Sequence, residues 1–431
     1  MKNIFQQLFK LDKSVYGWAL YDWANSAFVT TVMAGFFPIF FKEYWSAGTD
    51  VNVSTAQLGM GNSLASMIVA LMAPVLGAIA DRGSARKKFL IFFAYWGVLM
   101  TVGLFLVEKG EWAWAIFAYV MGVIGFSGAN IFYDALLPEV AGEDNIDYVS
   151  GFGYALGYLG GGVLFLINVL MVLHPEWFGL PDSATAVRYS FLSVGVWWGV
   201  FTIFTILWVK ETPSTRPAER WWEIVVGGFR QLGATFAKLR HLKTVFLFLA
   251  AYWLYIDGVD TIIRMATDYG LSIGFQSTDL ILALLLVQFV GFPSSIIYTR
   301  LGQRWGARKG IFLGIGAYSL VTLWGTQMSS LVEFYGLAVT IGLVQGGIQA
   351  LSRSYFSRLI PADQAGEFYG FYNMLGKFAA ILGPILMGGV GLQVKKFLVA
   401  RAGDAADMAY ISQLASRWSI AAVLLLFVGG A

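Results

Sequence analysis

The chain has 431 residues, of which 58% are hydrophobic and only 13% are charged, and its mean hydropathy is +0.66. This composition excludes a water-soluble protein that hides its apolar side chains in one core, and it is typical of a chain that crosses a membrane many times. The net charge of +3 indicates no surface for nucleic acid. Because there is no cysteine, disulfide bonds, a thiol catalyst and a cysteine-bound metal are excluded.

Twelve stretches of the sequence are long and apolar enough for membrane-spanning helices, since each such helix needs about 20 residues. Their apolar runs are continuous rather than alternating, which excludes a transmembrane β-barrel. We therefore expect an all-α membrane protein with twelve transmembrane helices. In chain order the predicted spans are 15–41, 54–80, 89–107, 112–138, 148–173, 187–209, 244–270, 278–299, 309–328, 331–358, 367–392 and 413–431.

The basic residues predict how these spans are oriented. Most of the 29 Lys and Arg residues fall in the N-terminal tail and in every second loop, and the positive-inside rule then places both chain termini in the cytoplasm. The segment 393–412 is an exception, because it carries basic residues on the predicted outer side. The first apolar run is too long for a cleaved signal peptide, so we expect it to remain as the first span.

A long inner connection, 211–243, divides the predicted spans into two sets of six. Within this connection, aromatic and basic residues interleave over 219–240, a pattern that favours an amphipathic helix lying in the membrane interface. We expect an N-terminal six-helix bundle over 1–210, a cytoplasmic linker over 211–243 and a C-terminal six-helix bundle over 244–431.

Matched landmarks indicate that the two bundles are copies of one unit. The loop 81–87 after the second span aligns with 303–309 after the eighth span. The first spans of the two bundles carry polar residues at the same spacing, which are Asp22 and Asn25 in one bundle and Asp257 and Asp260 in the other.

Acidic residues inside predicted spans are the strongest functional signal. A charged side chain at the bilayer centre costs about 2.5–3.5 kcal/mol on insertion scales, so we expect it to face protein or water rather than lipid. Asp22 and Asn25 share one helix face, and Asp257, Asp260 and Arg264 form a similar stripe. We expect these acids to bind and release protons. For Asp260 and Arg264 the alternative is an ion pair that only stabilises the helix.

Amide and basic side chains in the predicted spans of the second half are suited to bind a carboxylate group of a substrate. Gln345 and Gln349 lie four residues apart on the tenth span, and Asn373 and Lys377 do so on the eleventh. Together with the acids of the first and seventh spans, these groups favour a small zwitterion as the solute. The same residues are also expected in a cavity where the acidic and basic side chains of the protein only neutralise one another, so that alternative stays open.

Residues 77–88, GAIADRGSARKK, contain a glycine, then Asp-Arg, then a basic cluster between the second and third spans. This segment resembles the loop motif of the major facilitator superfamily, which implies two six-helix bundles and a cytoplasmic latch. Ser84-Ala85 replaces the usual Gly-Arg of that motif, so Arg86 is expected to take the role of the missing arginine. The latch residues that the resemblance implies are Asp81, Arg82, Arg86 and Asp134.

A narrower resemblance is carried by YDWANSAF at 21–28, GYLGGG at 157–162 and LYIDGVDTI at 254–262. These strings are similar to the vacuole-effluxer branch of the superfamily, whose fungal members are linked to the export of amino acids after protein breakdown. The resemblance implies an amino-acid-like substrate. Relatives of bacterial type imply a bacterial cytoplasmic membrane as the location.

Together these features predict a monomeric secondary transporter, not an enzyme and without a cofactor, that exports a small zwitterionic solute by alternating access. Protons or another cation are the expected coupling ion. One alternative is an exporter of divalent metals or organic cations, since three acids in a cavity could hold a cation. Another is a lipid-handling or receptor-like membrane protein. The predicted coupling residues are Asp22, Asp257, Asp260 and Arg264. The predicted substrate-binding residues are Tyr21, Asn25, Gln345, Gln349, Asn373 and Lys377.

Overall fold

The structure is a computed structural model, and it describes residues 12–49, 51–82, 86–211, 242–272, 275–361, 364–402 and 408–431. Within these ranges all regular secondary structure is helical, which confirms the expected all-α fold. The interfacial helix predicted at 219–240 lies outside the described residues.

The described residues of the first half of the chain contain six long helices. They are α1 Lys13–Trp45, α2 Val51–Arg82, α3 Arg86–Leu106, α4 Trp112–Gly142, α5 Asn145–Leu173 and α6 Ser183–Trp208. The run that contains α4 and α5 is broken at Gly142, whose φ of 65° and ψ of 168° are not helical. Glycine adopts this backbone conformation readily because it has no Cβ.

Seven α-helices lie in the described residues of the second half. They are α7 Lys243–Ser272, α8 Ser277–Trp305, α9 Ala307–Gly325, α10 Leu331–Leu359, α11 Ala365–Ala402, α12 Met408–Ala422 and α13 Leu424–Gly430. The ends of several helices differ from the ends of the predicted spans. Helix α11 extends past residue 392 to Ala402, so the first part of the predicted outer segment 393–412 is helical. The last predicted span lies on α12 and α13, which meet at Val423, whose φ of −63° and ψ of −24° are themselves helical. Its apolar run Leu414–Gly430 is shorter than the about 20 residues that a membrane crossing needs.

Among the described residues, nine helices are long and apolar enough to cross a membrane. These are the six helices of the first half together with α7, α8 and α10. The other predicted spans coincide with α9, with α11 and with the pair α12 and α13. The positions of all the predicted spans are thus helical, while the count of twelve crossings stays a prediction.

Helix α5 packs closely against α1 through small residues. A Cβ atom added at Gly157 would lie 2.6 Å from Ser26 Oγ, and one added at Gly160 would lie 2.5 Å from the carbonyl oxygen of Trp23. Helices in a bilayer gain little from hydrophobic association, so a close approach of this kind is what holds them together. The glycines of α5 therefore position α1, the helix that carries Asp22.

Contacts between Cα atoms divide the chain into two compact units. Unit 1 comprises Met1–Lys238 with Ser357–Met374, and unit 2 comprises Leu239–Phe356 with Leu375–Ala431. Unit 1 thus includes α1 to α6 and a short segment from the second half of the sequence. Helix α11 contributes residues to both units: those up to Met374 belong to unit 1, and those from Leu375 belong to unit 2.

Candidate functional site

The carboxylate of Asp22 is held in place by a tyrosine of α4. Asp22 is half-buried, and the hydroxyl of Tyr133 donates a hydrogen bond to its Oδ2 at 2.7 Å. Tyr133 is itself fixed by Trp18, whose ring stacks on it at 4.2 Å between centroids and whose Nε1 donates to the carbonyl oxygen of Tyr133 at 2.9 Å. An aromatic pair within the bundle therefore orients one acid of the predicted site.

A glycine of α5 leaves the space that this carboxylate occupies. A Cβ atom added at Gly153 would lie 2.7 Å from Asp22 Oδ2, 2.8 Å from the ring of Trp18 and 2.9 Å from the hydroxyl of Tyr133. Any larger residue would have to displace all three groups. Position 153 is thus part of the site, although it has no side chain of its own.

Asn25 and Tyr21 continue the polar surface of α1. Asn25 is buried, and its Nδ2 donates to Oδ1 of Asn130 on α4 at 2.8 Å. The hydroxyl of Tyr21 is fully buried near Trp198 and Asn25, but it makes no hydrogen bond of good geometry within the described part of the chain. Asp22 and Asn25 therefore both contact α4, as residues three apart on one helix can.

Helix α1 is distorted directly after this polar surface. Residues Phe28–Phe36 and Phe41–Trp45 form π-helix, in which the hydrogen bonds join residues five apart. Thr30 and Thr31 are buried in the first of these segments. Such wide turns occur frequently at functional sites, because they shift side chains away from the regular helical positions. The sequence contains no pattern from which we predicted this distortion.

In unit 2, Asp257 binds the main chain of another helix. Its side chain has no exposed surface, and its carboxylate accepts hydrogen bonds from the N–H groups of Leu382 at 3.1 Å and Gly383 at 2.8 Å. The hydroxyl of Thr261 donates a third bond at 3.2 Å. Asp260 on the same helix is half-buried. The side chain of Arg264 lies outside the described residues, so its pairing with Asp260 is untested.

The predicted substrate-binding residues of the second half are spread over both units. On α10, Gln349 is half-buried, and Oε1 of the half-buried Gln345 is enclosed without a hydrogen-bond partner among the described residues. Asn373 belongs to unit 1, where its Nδ2 donates to Oδ2 of Asp134 at 3.0 Å. The side chain of Lys377 lies outside the described residues. These substrate roles stay predictions, and Asn373 is joined to a residue of the predicted latch.

Arg86, a predicted latch residue, contacts the end of α4. Its Nη1 lies 3.7 Å from Oε2 of Glu139, and its Nε donates to the carbonyl oxygen of Ala80 at 3.1 Å. Asp134, another residue of the predicted latch, is buried and accepts from Asn373. The side chains of Asp81 and Arg82 lie outside the described residues. Sequence reasoning missed Glu139, although it lies only five residues after Asp134.

Glu211, which follows the end of α6, caps the start of α3. The N–H groups of Arg86 and Lys87 donate to its carboxylate at 2.8 and 3.3 Å. Burial raises the pKa of the Glu211 carboxyl above its usual value, and these two N–H donors partly oppose that shift. Its place just after the last apolar residue of α6 was the only sequence signal for this role.

A further ion pair holds the segment 357–374 within unit 1. Nη2 of Arg358 lies 2.6 Å from Oδ2 of Asp147, whose side chain is 3% exposed while that of Arg358 is 39% exposed. In the same region the backbones approach closely, because a Cβ atom added at Gly77 would lie 2.9 Å from Cα of Gly370. Sequence reasoning missed this pair, since its members are 211 residues apart.

The helical fold is that of solved transporters of the major facilitator superfamily. The solved structure of the human organic anion transporter MFSD10 (TETRAN) has a TM-score of 0.70 with this chain, at 14% sequence identity, and the match covers 97% of this chain and 99% of that one. At this identity the likeness concerns the fold alone.

The chain belongs to the family described as "Vacuole effluxer Atg22 like", which its residues 11–391 match. It is 40% identical over 380 residues to the MFS-type transporter YxiO of Bacillus subtilis (strain 168), an alignment that covers 88% of each chain. It is 24% identical over 517 aligned positions to autophagy-related protein 22-1 of Penicillium rubens, covering 88% of this chain and 85% of that one. The protein is thus an integral, multi-pass membrane protein for secondary transport and not an enzyme.

Proposed function

We propose that this secondary transporter exports a small zwitterionic solute, such as an amino acid, in exchange for protons. In this proposal the two predicted six-helix bundles alternate between an inward-open and an outward-open state around the solute. Asp22, Asp257 and Asp260 take part in coupling together with Arg264. The solute is bound by groups on α1, α10 and α11.

The observation that carries the proposal is the environment of Asp22. Its side chain is only half-buried, it lies well inside an apolar helix, and the hydroxyl of Tyr133 fixes one of its oxygens. Such a carboxylate can take up a proton or bind an ammonium group, because part of it stays accessible while its orientation is set. The buried amide of Asn25 and the hydroxyl of Tyr21 extend the polar surface on either side.

The other end of a zwitterion needs amide or positive groups. Gln345 has an enclosed amide oxygen without a described partner, and Gln349 lies one turn further on the same helix. Lys377 is the basic residue that the sequence places inside the eleventh span. In our proposal these residues receive the carboxylate of the solute, and Asp22 with Asn25 and Tyr21 receives the ammonium group.

A cytoplasmic gate completes the proposal. Three contacts hold segment 357–374 within unit 1: the Arg358–Asp147 ion pair, the Asn373–Asp134 hydrogen bond, and the close approach of Gly77 to Gly370. A contact that exists in only one of two states shifts the equilibrium toward that state. We propose that Asp81, Arg82, Arg86 and Asp134 act together with this segment to close the inner side. The cytoplasmic placement of both termini, inferred from the basic residues, is part of the proposal.

Proteoliposomes test the coupling. Wild-type protein loaded with a mixture of radiolabelled amino acids should release label faster when a pH gradient is imposed, and an Asp22→Asn variant should lose this acceleration. Asp182→Asn is the matched control, because Asp182 is an exposed residue at the start of α6 that caps the helix through Thr185 N–H, and Asn is an equally good cap. Unchanged acceleration in Asp22→Asn would remove this acid from the mechanism.

The two alternatives have less support. Among the described residues no three His, Asp or Glu side chains group closely enough to hold a metal ion. A lipid-handling protein would use an apolar groove, and one of about 440 Å³ lies between α5 and α6, lined by Leu164, Met171, Tyr189, Trp197 and Phe201. A thermal-shift screen with amino acids, divalent metals and lipids separates the three classes, since a bound ligand raises the apparent stability.

A further inference from the structure

Two exposed apolar stripes lie on neighbouring helices of unit 1, α3 and α6. Their members recur every three or four residues, so each set lies on one face of its helix. The stripe on α3 comprises Phe92, Tyr95 and Leu99, and the stripe on α6 comprises Val196, Val200, Ile203 and Leu207. We refer to the two stripes together as the α3/α6 face.

Direct contacts make the two stripes one continuous surface. The hydroxyl of Tyr95 donates to the carbonyl oxygen of Gly199 at 3.1 Å, and a ring carbon of Tyr95 lies 3.8 Å from the position that a Cβ atom on Gly199 would take. Because Gly199 has no side chain, the tyrosine ring rests on the main chain of α6. One turn away, a Cβ atom added at Gly195 would lie 2.5 Å from Cγ2 of Val102. The helices therefore lie side by side along this face.

Both stripes end in an exposed lysine at the same end of the face. Lys88 lies one turn before the stripe on α3, and Lys210 lies one turn after the stripe on α6. Nζ of Lys87 donates to the carbonyl oxygen of Val209 at 2.7 Å, so the start of α3 contacts the end of α6. Within the described part of the chain neither Lys88 nor Lys210 forms an ion pair. The nearby carboxylate of Glu211 accepts instead from the first N–H groups of α3.

The length of the face matches one leaflet of a bilayer. At a rise of 1.5 Å per residue, Leu99 lies about 16 Å along α3 from Lys88, and Val200 lies about 15 Å along α6 from Lys210. Half of a hydrocarbon core of about 30 Å is about 15 Å. The two lysines therefore stand at headgroup level when the stripes face acyl chains. The positive-inside rule places them on the cytoplasmic side.

We propose that the α3/α6 face is a binding site for a phospholipid of net negative charge in the cytoplasmic leaflet. Lys88 and Lys210 pair with its phosphate group, and its acyl chains lie along the two stripes. A zwitterionic lipid brings an ammonium group close to the same lysines, which repel it, so the charge of the site favours the anionic lipid. The site is separate from Asp22 and does not depend on which solute is transported.

Fluorescence quenching by labelled lipids tests this site. The chain has no cysteine, so a fluorophore attaches only at an introduced Leu99→Cys. The protein is placed in vesicles of phosphatidylcholine that contain a small share of phosphatidylglycerol or phosphatidylcholine with a nitroxide on the acyl chain. We expect the labelled phosphatidylglycerol to quench more strongly than the labelled phosphatidylcholine. The same fluorophore at Leu320, exposed on α9, should be quenched equally by both lipids.

Removal of the two lysines separates a charge-selective site from ordinary contact with lipid. A lysine near an anionic lipid surface contributes about a fivefold gain in affinity, so Lys88→Gln with Lys210→Gln should reduce the preference for phosphatidylglycerol by about 5- to 30-fold. The matched control is Lys42→Gln with Lys109→Gln, which removes two exposed lysines from the predicted outer side and should leave the preference unchanged.

Ionic strength gives a second test on the unaltered lysines. The screening length falls from about 10 Å at 0.1 M salt to about 3 Å at 1 M salt, so the preference at position 99 should weaken as salt is added. Equal quenching by the two lipids at position 99 would overturn the proposal. So would a preference that survives removal of Lys88 and Lys210, or one that the control variant loses to the same extent.

Discussion

The ion pair between Arg358 and Asp147 offers a direct test of the proposed gate. Oδ2 of Asp147 accepts from Arg358 at 2.6 Å, while Oδ1 is buried without a hydrogen-bond partner among the described residues. Replacing Arg358 by Gln leaves a carboxylate that is 3% exposed without its cation. The gate-closed state loses this stabilisation, whereas an open gate lets water reach the carboxylate.

The size of the effect follows from the geometry. A hydrogen bond to a charged group contributes about 1.5–3 kcal/mol. We use this range rather than the full Coulomb attraction between the two charges, because Arg358 is partly in contact with solvent, which screens its charge. Since 1.4 kcal/mol corresponds to a factor of ten, the gate equilibrium should shift toward the open state by roughly 10- to 140-fold. A substitution of both partners should shift it less than Arg358→Gln alone, because no buried charge is then left unpaired.

Cysteine labelling measures this shift. Ser150 lies on α5 near Asp147 and has no exposed surface, so a cysteine there should react with a maleimide only when the gate opens. Its labelling rate should rise in Arg358→Gln by the factor given above. Asn145, exposed on the same helix, is the matched control site and should react at the same rate in both backgrounds. An unchanged rate at position 150 would refute the assignment of the ion pair to the gate.

Two further predictions concern stability. Gly153→Ala should lower the free energy of unfolding by about 1–3 kcal/mol, because the added Cβ would overlap Asp22 Oδ2 and the ring of Trp18. Gly103 has open space around it, so Gly103→Ala should not lower this free energy. Thermal unfolding in detergent compares the two variants. Burial raises the pKa of the Glu211 carboxyl in the folded protein above the usual 4.5. The folded state therefore binds a proton at Glu211 more tightly than the unfolded state does. The free energy of unfolding should then fall as the pH rises from about 4.5 through the pKa of the folded protein. Glu211→Gln should remove this slope, and an equal slope in both proteins contradicts the assignment.

The helices were predictable because hydropathy and length are local properties. Each predicted span coincides with a helix, since a long apolar run in lipid has to satisfy its backbone within the segment. Helix ends were less predictable. The continuation of α11 to Ala402 depends on packing that hydropathy does not report.

The candidate site was predictable only in part. The cost of burying a charge identified Asp22 and Asp257 as unusual, and their spacing placed Asp22 and Asn25 on one face. Their partners were not predictable. Tyr133 is 111 residues from Asp22, and Asp257 binds main-chain N–H groups, which every residue except proline has and which leave no signal in a sequence.

The sequence by itself determined that this protein is a helical membrane protein with acids inside its first and seventh spans, because hydrophobic burial and the cost of a charge in lipid act on each segment separately. Only the tertiary structure decided which groups meet these acids. It brings Asn373 to Asp134 and Arg358 to Asp147 across more than two hundred residues, and the main chain of α11 to Asp257. Hydrogen bonds depend on positions within a few tenths of an ångström, and those positions are set by how the helices pack.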